Sequence, residues 1–211
     1  MTNSYDFTPN KTNDRFVKAC VDNKIEKVKS MISDGIDVNF PSENTSTALL
    51  MAACGGYKSI VALLLDNKAD INQQDIIGHT PLMAAVHFGR TMTAKMLIEK
   101  KASFVVEDKD GYTALTHAAT GGNARLINLL LKNGDDVNYQ NSNGDTALTN
   151  ASRLNVSIDT IKLLIENGAN IYLKNNDGEA AVDINGQIFA TIEREKLIME
   201  IDEDEVGAFG I

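Results

Sequence analysis

The chain is short of positive charge. It carries 20 Lys and Arg against 29 Asp and Glu, for a formal net charge of -9 and a pI near 4.8. An acidic surface repels phosphate backbones, so no nucleic acid partner is expected. Anionic membrane surfaces are disfavoured for the same reason. Long hydrophobic runs are also missing: none reaches the roughly 18 residues of a membrane span. The first residues, Met-Thr-Asn-Ser-Tyr-Asp-Phe, lack the basic start and apolar stretch of a signal peptide, and the expected location is cytoplasmic. Cysteine is scarce. Cys20 and Cys54 form no CxxC pair and no metal-ligand spacing, so they are expected to be inert thiols without a disulfide.

What the chain does have is a period. Thr47, Thr80, Thr113 and Thr146 stand 33 residues apart, each opening a Thr-x-Leu triplet. Self-similarity at that length marks stacked repeats, each unit burying its apolar faces on its neighbours. Thr is a good helix N-cap, because its hydroxyl accepts from a helical N–H that has no other partner. Pro81 falls at the first helical position, where the missing N–H costs nothing. Ala52-Ala53, Ala85-Val86 and Ala118-Ala119 let first helices approach closely. Ile60–Leu65 and Leu126–Leu131 read as second helices, apolar towards neighbouring repeats. Gly35, Gly134 and Gly168 end helices in the left-handed conformation.

Gly78-His79-Thr80-Pro81-Leu82, the small pairs, Gly89 and Gly122, the Leu-Leu runs and endings such as Asp136-Val137-Asn138 recur in register. This pattern resembles the ankyrin repeat. The resemblance covers residues 13–201 and implies an all-α solenoid of about six repeats, four internal and two caps. It further implies two antiparallel helices and a projecting β-hairpin loop per repeat. Residues 1–12 and the acidic tail 202–211 are expected to be disordered, although the apolar end Val206–Ile211 could dock in a groove. In the family, Asn residues in place of Asn39, Asn72 and Asn138 brace the hairpin loops.

Three departures stand out. The family's His after Thr-Pro-Leu is replaced by Leu50, Met83, Thr116 and Thr149, which weakens the expected tie between loops. Lys68 and Lys101 replace the helix-ending Gly. One extra residue near Asn155–Asp159 is expected to lengthen the loop between the two helices of the fourth internal repeat.

No residue pattern builds a catalytic centre. Gly55-Gly56-Tyr57-Lys58-Ser59 lacks the Gly-Lys junction and the preceding strand of a phosphate loop. Asp108-Lys109-Asp110-Gly111 lacks the first and last ligands of a calcium loop. His79 and His87 can lie close together, but two ligands make no persuasive zinc site, so neither a metal nor a cofactor is expected. The resemblance implies a non-enzymatic module that binds a protein partner through hairpin tips and the exposed side of the first helices. The candidate contacts are Ile76, Ile77, His79, His87, Phe88, Asp110, Tyr112, Asp145 and Arg153. Ile76 and Ile77 take tip positions that are ordinarily polar, and with Phe88 and Tyr112 they form a nominally exposed apolar cluster. The chain is expected to act as a monomer. A narrower alternative is a dedicated inhibitor or immunity factor for one enzyme, or a translocated effector that captures a host protein.

Overall fold

A computed structural model describes residues 11–42 and 46–195. Within them the chain forms two rows of short helices. The first row holds α1 (Lys11–Val21), α3 (Ala48–Gly55), α5 (Pro81–His87), α7 (Ala114–Thr120), α9 (Ala147–Arg153) and α11 (Ala181–Ile184). The second holds α2 (Ile25–Ser33), α4 (Lys58–Asp66), α6 (Thr91–Glu99), α8 (Ala124–Lys132) and α10 (Ile158–Glu166). A further helical stretch, α12, covers residues 186–195. Successive first helices pack side by side, as do successive second helices, and each pair packs together across the rows.

The threonine period sets where the first helices begin. The hydroxyls of Thr47, Thr80, Thr113 and Thr146 accept from the N–H groups of Leu50, Met83, Thr116 and Thr149 at 3.1 to 3.3 Å. Two of the residues that replace the family's His, Met83 and Thr149, complete the cap from the other side, and Thr116 touches the capping hydroxyl. Thr116 Oγ1 lies 3.2 Å from the Thr113 hydroxyl, and the Met83 sulfur and Thr149 hydroxyl accept from the N-cap N–H. The core follows the sequence pattern. Ala52, Ala53, Ala85, Ala118, Ala119 and Ala151 are buried between first helices. Ile60, Val61, Leu64, Leu97, Leu126, Ile127, Leu130, Ile161 and Leu164 are buried beneath the second row. Truncating one of these leucines to Ala is expected to cost about 2–5 kcal/mol, because a stacked core has little room to collapse.

The hairpins are reduced to their turns. The described residues contain no β-strand, only an isolated antiparallel bridge between Lys174 and Ala180. Each tip is closed by a backbone bond from the N–H of Asp75, Asp108, Asn141 or Asn175 to the carbonyl of His79, Tyr112, Asp145 or Glu179, and by a second from the N–H of Gly78, Gly111, Gly144 or Gly178 back to the first residue's carbonyl. An Asp or Asn side chain fixes each turn by accepting the N–H groups two and four residues ahead. Consecutive tips then join through their backbones, Lys109 N–H to the Ile77 carbonyl and Asn176 N–H to the Asn143 carbonyl, both 3.0 Å. Gln74 and Gln140 each bridge their own turn to the next.

The ties that seemed weakened by the missing His are thus supplied elsewhere. Asn39 and Asn138 each donate to a carbonyl and accept an N–H in the following repeat, and Asn72 accepts from Ser103. These are the bracing roles that the resemblance implies. Lys68 and Lys101 do adopt the left-handed conformation, with φ of 68° and 70°. The loop between α9 and α10 spans 154–157, one residue more than 88–90 between α5 and α6. One boundary differs from the sequence reading: α1 starts at Lys11, inside the segment 1–12 expected to be without structure. Asn13 and Phe16 are buried at this end, which anchors the first turns. The tail 202–211, with its possible docking end, lies outside the described residues.

Candidate protein-binding face

The repeat turns sequence columns into rows along the face formed by tips and first helices. The residue before each capping Thr is Ser46, His79, Tyr112 and Asp145 in turn. The residue four after it is Met51, Ala84, His117 and Asn150, and the residue seven after it is Cys54, His87, Thr120 and Arg153. These positions meet because residues four and seven into a helix share its face with the turn in front of it.

At the tips, Ile76 and Ile77 are 60% and 51% exposed, and Phe88 at the end of α5 is 51% exposed. None of the three packs on the core cluster. Leu154, also beyond the end of a first helix, is exposed as well. Tyr112 is half-buried, its ring 5.6 Å from that of His117. His87 makes edge contacts with both Phe88 and His117, at 5.0 and 5.6 Å between centroids. His79 lies 5.2 Å from His117 and 6.3 Å from His87. Five of the rings thus form one continuous aromatic edge beside the apolar tips.

Beneath that edge sits Asp108. Its Oδ1 is held by the N–H groups of Asp110 and Tyr112, and its Oδ2 lies 2.7 Å from His117 Nε2 and 3.4 Å from His79 Nε2. Burial lowers the pKa of His117. The Asp108 hydrogen bond and charge offset this in part, while His79 and His87 add to the lowering. His117 and Asp108 are not among the candidate contacts read from sequence. The signal was available: the chain's three His occupy the three columns of two consecutive repeats.

The junction between the fourth internal repeat and the C-terminal cap is an ion-pair network. Arg153 grips the Asp145 carboxylate with both terminal nitrogens, at 3.0 and 3.2 Å, and reaches Glu179 at 3.5 Å. The Asp145 hydrogen bond is the main cause of a raised Arg153 pKa. Asn175 donates a further bond to Asp145 at 2.9 Å. The structure corrects one sequence expectation here. Asp145 is 8% exposed and its oxygens are occupied internally, so it positions Arg153 and offers no surface of its own. Arg153 and Asp110 remain exposed.

The thiols are far from reactive. Burial pushes Cys20 up to about 12 and Cys54 up to about 11. No helix among the described residues is long and apolar enough to cross a membrane.

The family model for ankyrin repeats, in three copies, matches residues 16–108 and 103–175. The chain belongs to the ankyrin repeat family. Ankyrin repeats are in general protein–protein interaction modules, typically without enzymatic activity. Among curated proteins, a 51-residue stretch is 47% identical to serine/threonine-protein kinase 12 of Arabidopsis thaliana. That stretch is 24% of this chain and 11% of the kinase.

Proposed function

We propose that this chain is a non-enzymatic binding module that holds a protein partner against the tips and first helices of its second and third internal repeats. The observation that supports this reading is the exposure of Ile76, Ile77 and Phe88 together at positions that the stack does not need to fill. Large apolar side chains left in water are the usual mark of a contact surface. The tips that carry them are fixed by side-chain turns and by backbone bonds to the next tip, so little ordering would oppose binding. Tyr112 and the His87 ring extend the patch, with Arg153 further along the row as a polar anchor. Recognition is by surface complementarity, with no covalent step.

The test is a quantitative pull-down from native-source extract, with the wild type beside a variant carrying Ile76→Ser, Ile77→Ser, Phe88→Ser and Tyr112→Ser. Circular dichroism checks that the variant is folded. A partner held by the wild type and lost by the variant is the expected result. A partner held equally by both would move the site off this patch, and no partner at all would sink the reading.

A further inference from the structure

The one group of His, Cys, Asp or Glu side chains among the described residues that could hold a metal ion is His79, Asp108 and His117, whose ligand atoms all lie within 4.8 Å of one another. We infer that these three residues form a zinc site joining the second and third internal repeats. Nothing in the protein-binding reading requires it.

The backbone sets the ligands in place. His79 sits in the turn fixed by Asp75, its N–H 2.8 Å from the Asp75 carboxylate. Asp108 stands at the equivalent position of the next turn, with Oδ1 held by two N–H groups so that only Oδ2 points at the imidazoles. His117 lies in the last turn of α7. Two ligands on a tetrahedral zinc at about 2.05 Å lie about 3.3 Å apart. The His79–Asp108 separation of 3.4 Å already fits. The His117–Asp108 distance of 2.7 Å is that of a hydrogen bond and opens by roughly half an ångström when the proton leaves and the cation enters. The exposed His87 ring lies beside the site, where a fourth ligand belongs.

The donor set selects the cation. Two imidazoles and one carboxylate suit zinc and its borderline neighbours, whereas calcium and magnesium take oxygen ligands. Burial favours the neutral form of His117, which is the ligating form. A divalent cation also relieves charge in a chain of net -9.

The test uses the full chain, stripped of metal, competing for zinc with a chromophoric chelator. Cobalt is a spectroscopic stand-in and magnesium a control. Asp108→Asn is the informative variant. Asn141 and Asn175 already fix equivalent turns with an amide oxygen, so the fold tolerates the exchange while the anionic ligand is lost. His117→Gln removes a ligand without touching the turn. The wild type is expected to take one zinc per chain, give the intense visible bands of four-coordinate cobalt, and melt at higher temperature with zinc present. Each variant should bind at least about tenfold more weakly and lose the cobalt bands. Affinity should fall as the pH is lowered, because protons compete with the cation for its ligands. A wild type that takes no zinc from the chelator, or variants that bind as well as it does, would overturn the inference.

Discussion

Two junctions of this solenoid, separated by one other, share a backbone and differ in chemistry. Between the second and third internal repeats, the column before the capping Thr offers His79, and the next turn answers with a carboxylate, Asp108. Between the fourth internal repeat and the C-terminal cap the same column offers Asp145, and the turn ahead answers with an amide, Asn175. Each pairing sets a donor against an acceptor across adjacent repeats. The first leaves imidazoles and a carboxylate whose ligand atoms lie close enough together to hold a cation. The second is closed by Arg153, whose charge persists at all working pH. A repeat fold can therefore keep its stacking fixed while one column changes from an imidazole–carboxylate contact to a permanent ion pair.

The shared backbone should show first, and with the largest effect. A Cβ on Gly78 would lie 2.8 Å from Asp108 Cα, and one on Gly144 would lie 2.8 Å from Asn176 N. Both glycines have positive φ, as does Gly178, whose Cβ would meet nothing within 4 Å. Gly78→Ala and Gly144→Ala should each lower stability by about 2–4 kcal/mol, because adjacent tips must part. Gly178→Ala should cost only the strain of its conformation, about 1–2 kcal/mol. Urea denaturation of the three variants checks this. Equal losses at all three would mean that the tips do not press on one another.

A pH-sensitive group outside the histidine cluster must be removed before the junctions are compared by pH. Asp135 takes the place that Ala69, Ala102 and Ala169 fill in other repeats. Burial raises its pKa to about 7, and its Oδ2 has no hydrogen-bond partner. The native state therefore holds this proton more tightly than the unfolded chain does, for which 3.8 is the ordinary value. The contribution is most favourable below pH 3.8, declines as pH rises to about 7, and stays low above it. Asp135→Ala should raise stability by about 2 kcal/mol at alkaline pH and by much less in acid. Thermal melts across the pH range test it, and a gain that does not grow with pH would contradict it.

In that background the two junctions separate. Arg153→Ala leaves the buried Asp145 carboxylate with Asn175 alone and should cost about 1–2 kcal/mol, nearly independent of pH above 5. His117→Gln should cost less, within about 1 kcal/mol. Its signature is in the slope. The native pKa of His117 lies below the ordinary 6.5, so its contribution is complete above that value and is lost as pH falls below it. The Gln variant should flatten the acid limb of the stability profile. A limb that stays as steep would assign the slope to other groups.

The sequence carried the architecture because the stack depends on a few steric and capping requirements that recur every 33 residues. Thr caps, Ala pairs and Leu runs each have one place to go. The site was only half legible. Ile76, Ile77 and Phe88 announced themselves by being apolar where water is expected. Asp145 did not, since an Asp at a tip column looks exposed until the Arg153 seven residues after its Thr is seen to close over it. His117 was hidden by a different cause. It shares a repeat with Asp108, and only the stacking of one unit on another brings that pair to His79. Properties within a unit follow the period, whereas properties between units need the offset between them.

The smallest expected effect bears on that same contrast between units. Gly35, Gly134 and Gly168 end second helices with φ between 87° and 97°, and Lys68 and Lys101 hold the equivalent place at 68° and 70°. A side chain in the left-handed region costs about 1–2 kcal/mol, part of which Gly gives back through its greater freedom in the unfolded chain. Lys68→Gly and Lys101→Gly should each stabilise by about 0.5 kcal/mol. The two substitutions flank the second internal repeat, which carries the apolar tips and two of the three histidines. Native-state hydrogen exchange should therefore show slower local opening of α4 and α6 in the double variant, with α8 and α10 unchanged. Protection that rises equally along the whole array would show that the solenoid opens as one unit, and that the two junctions differ in side-chain chemistry alone.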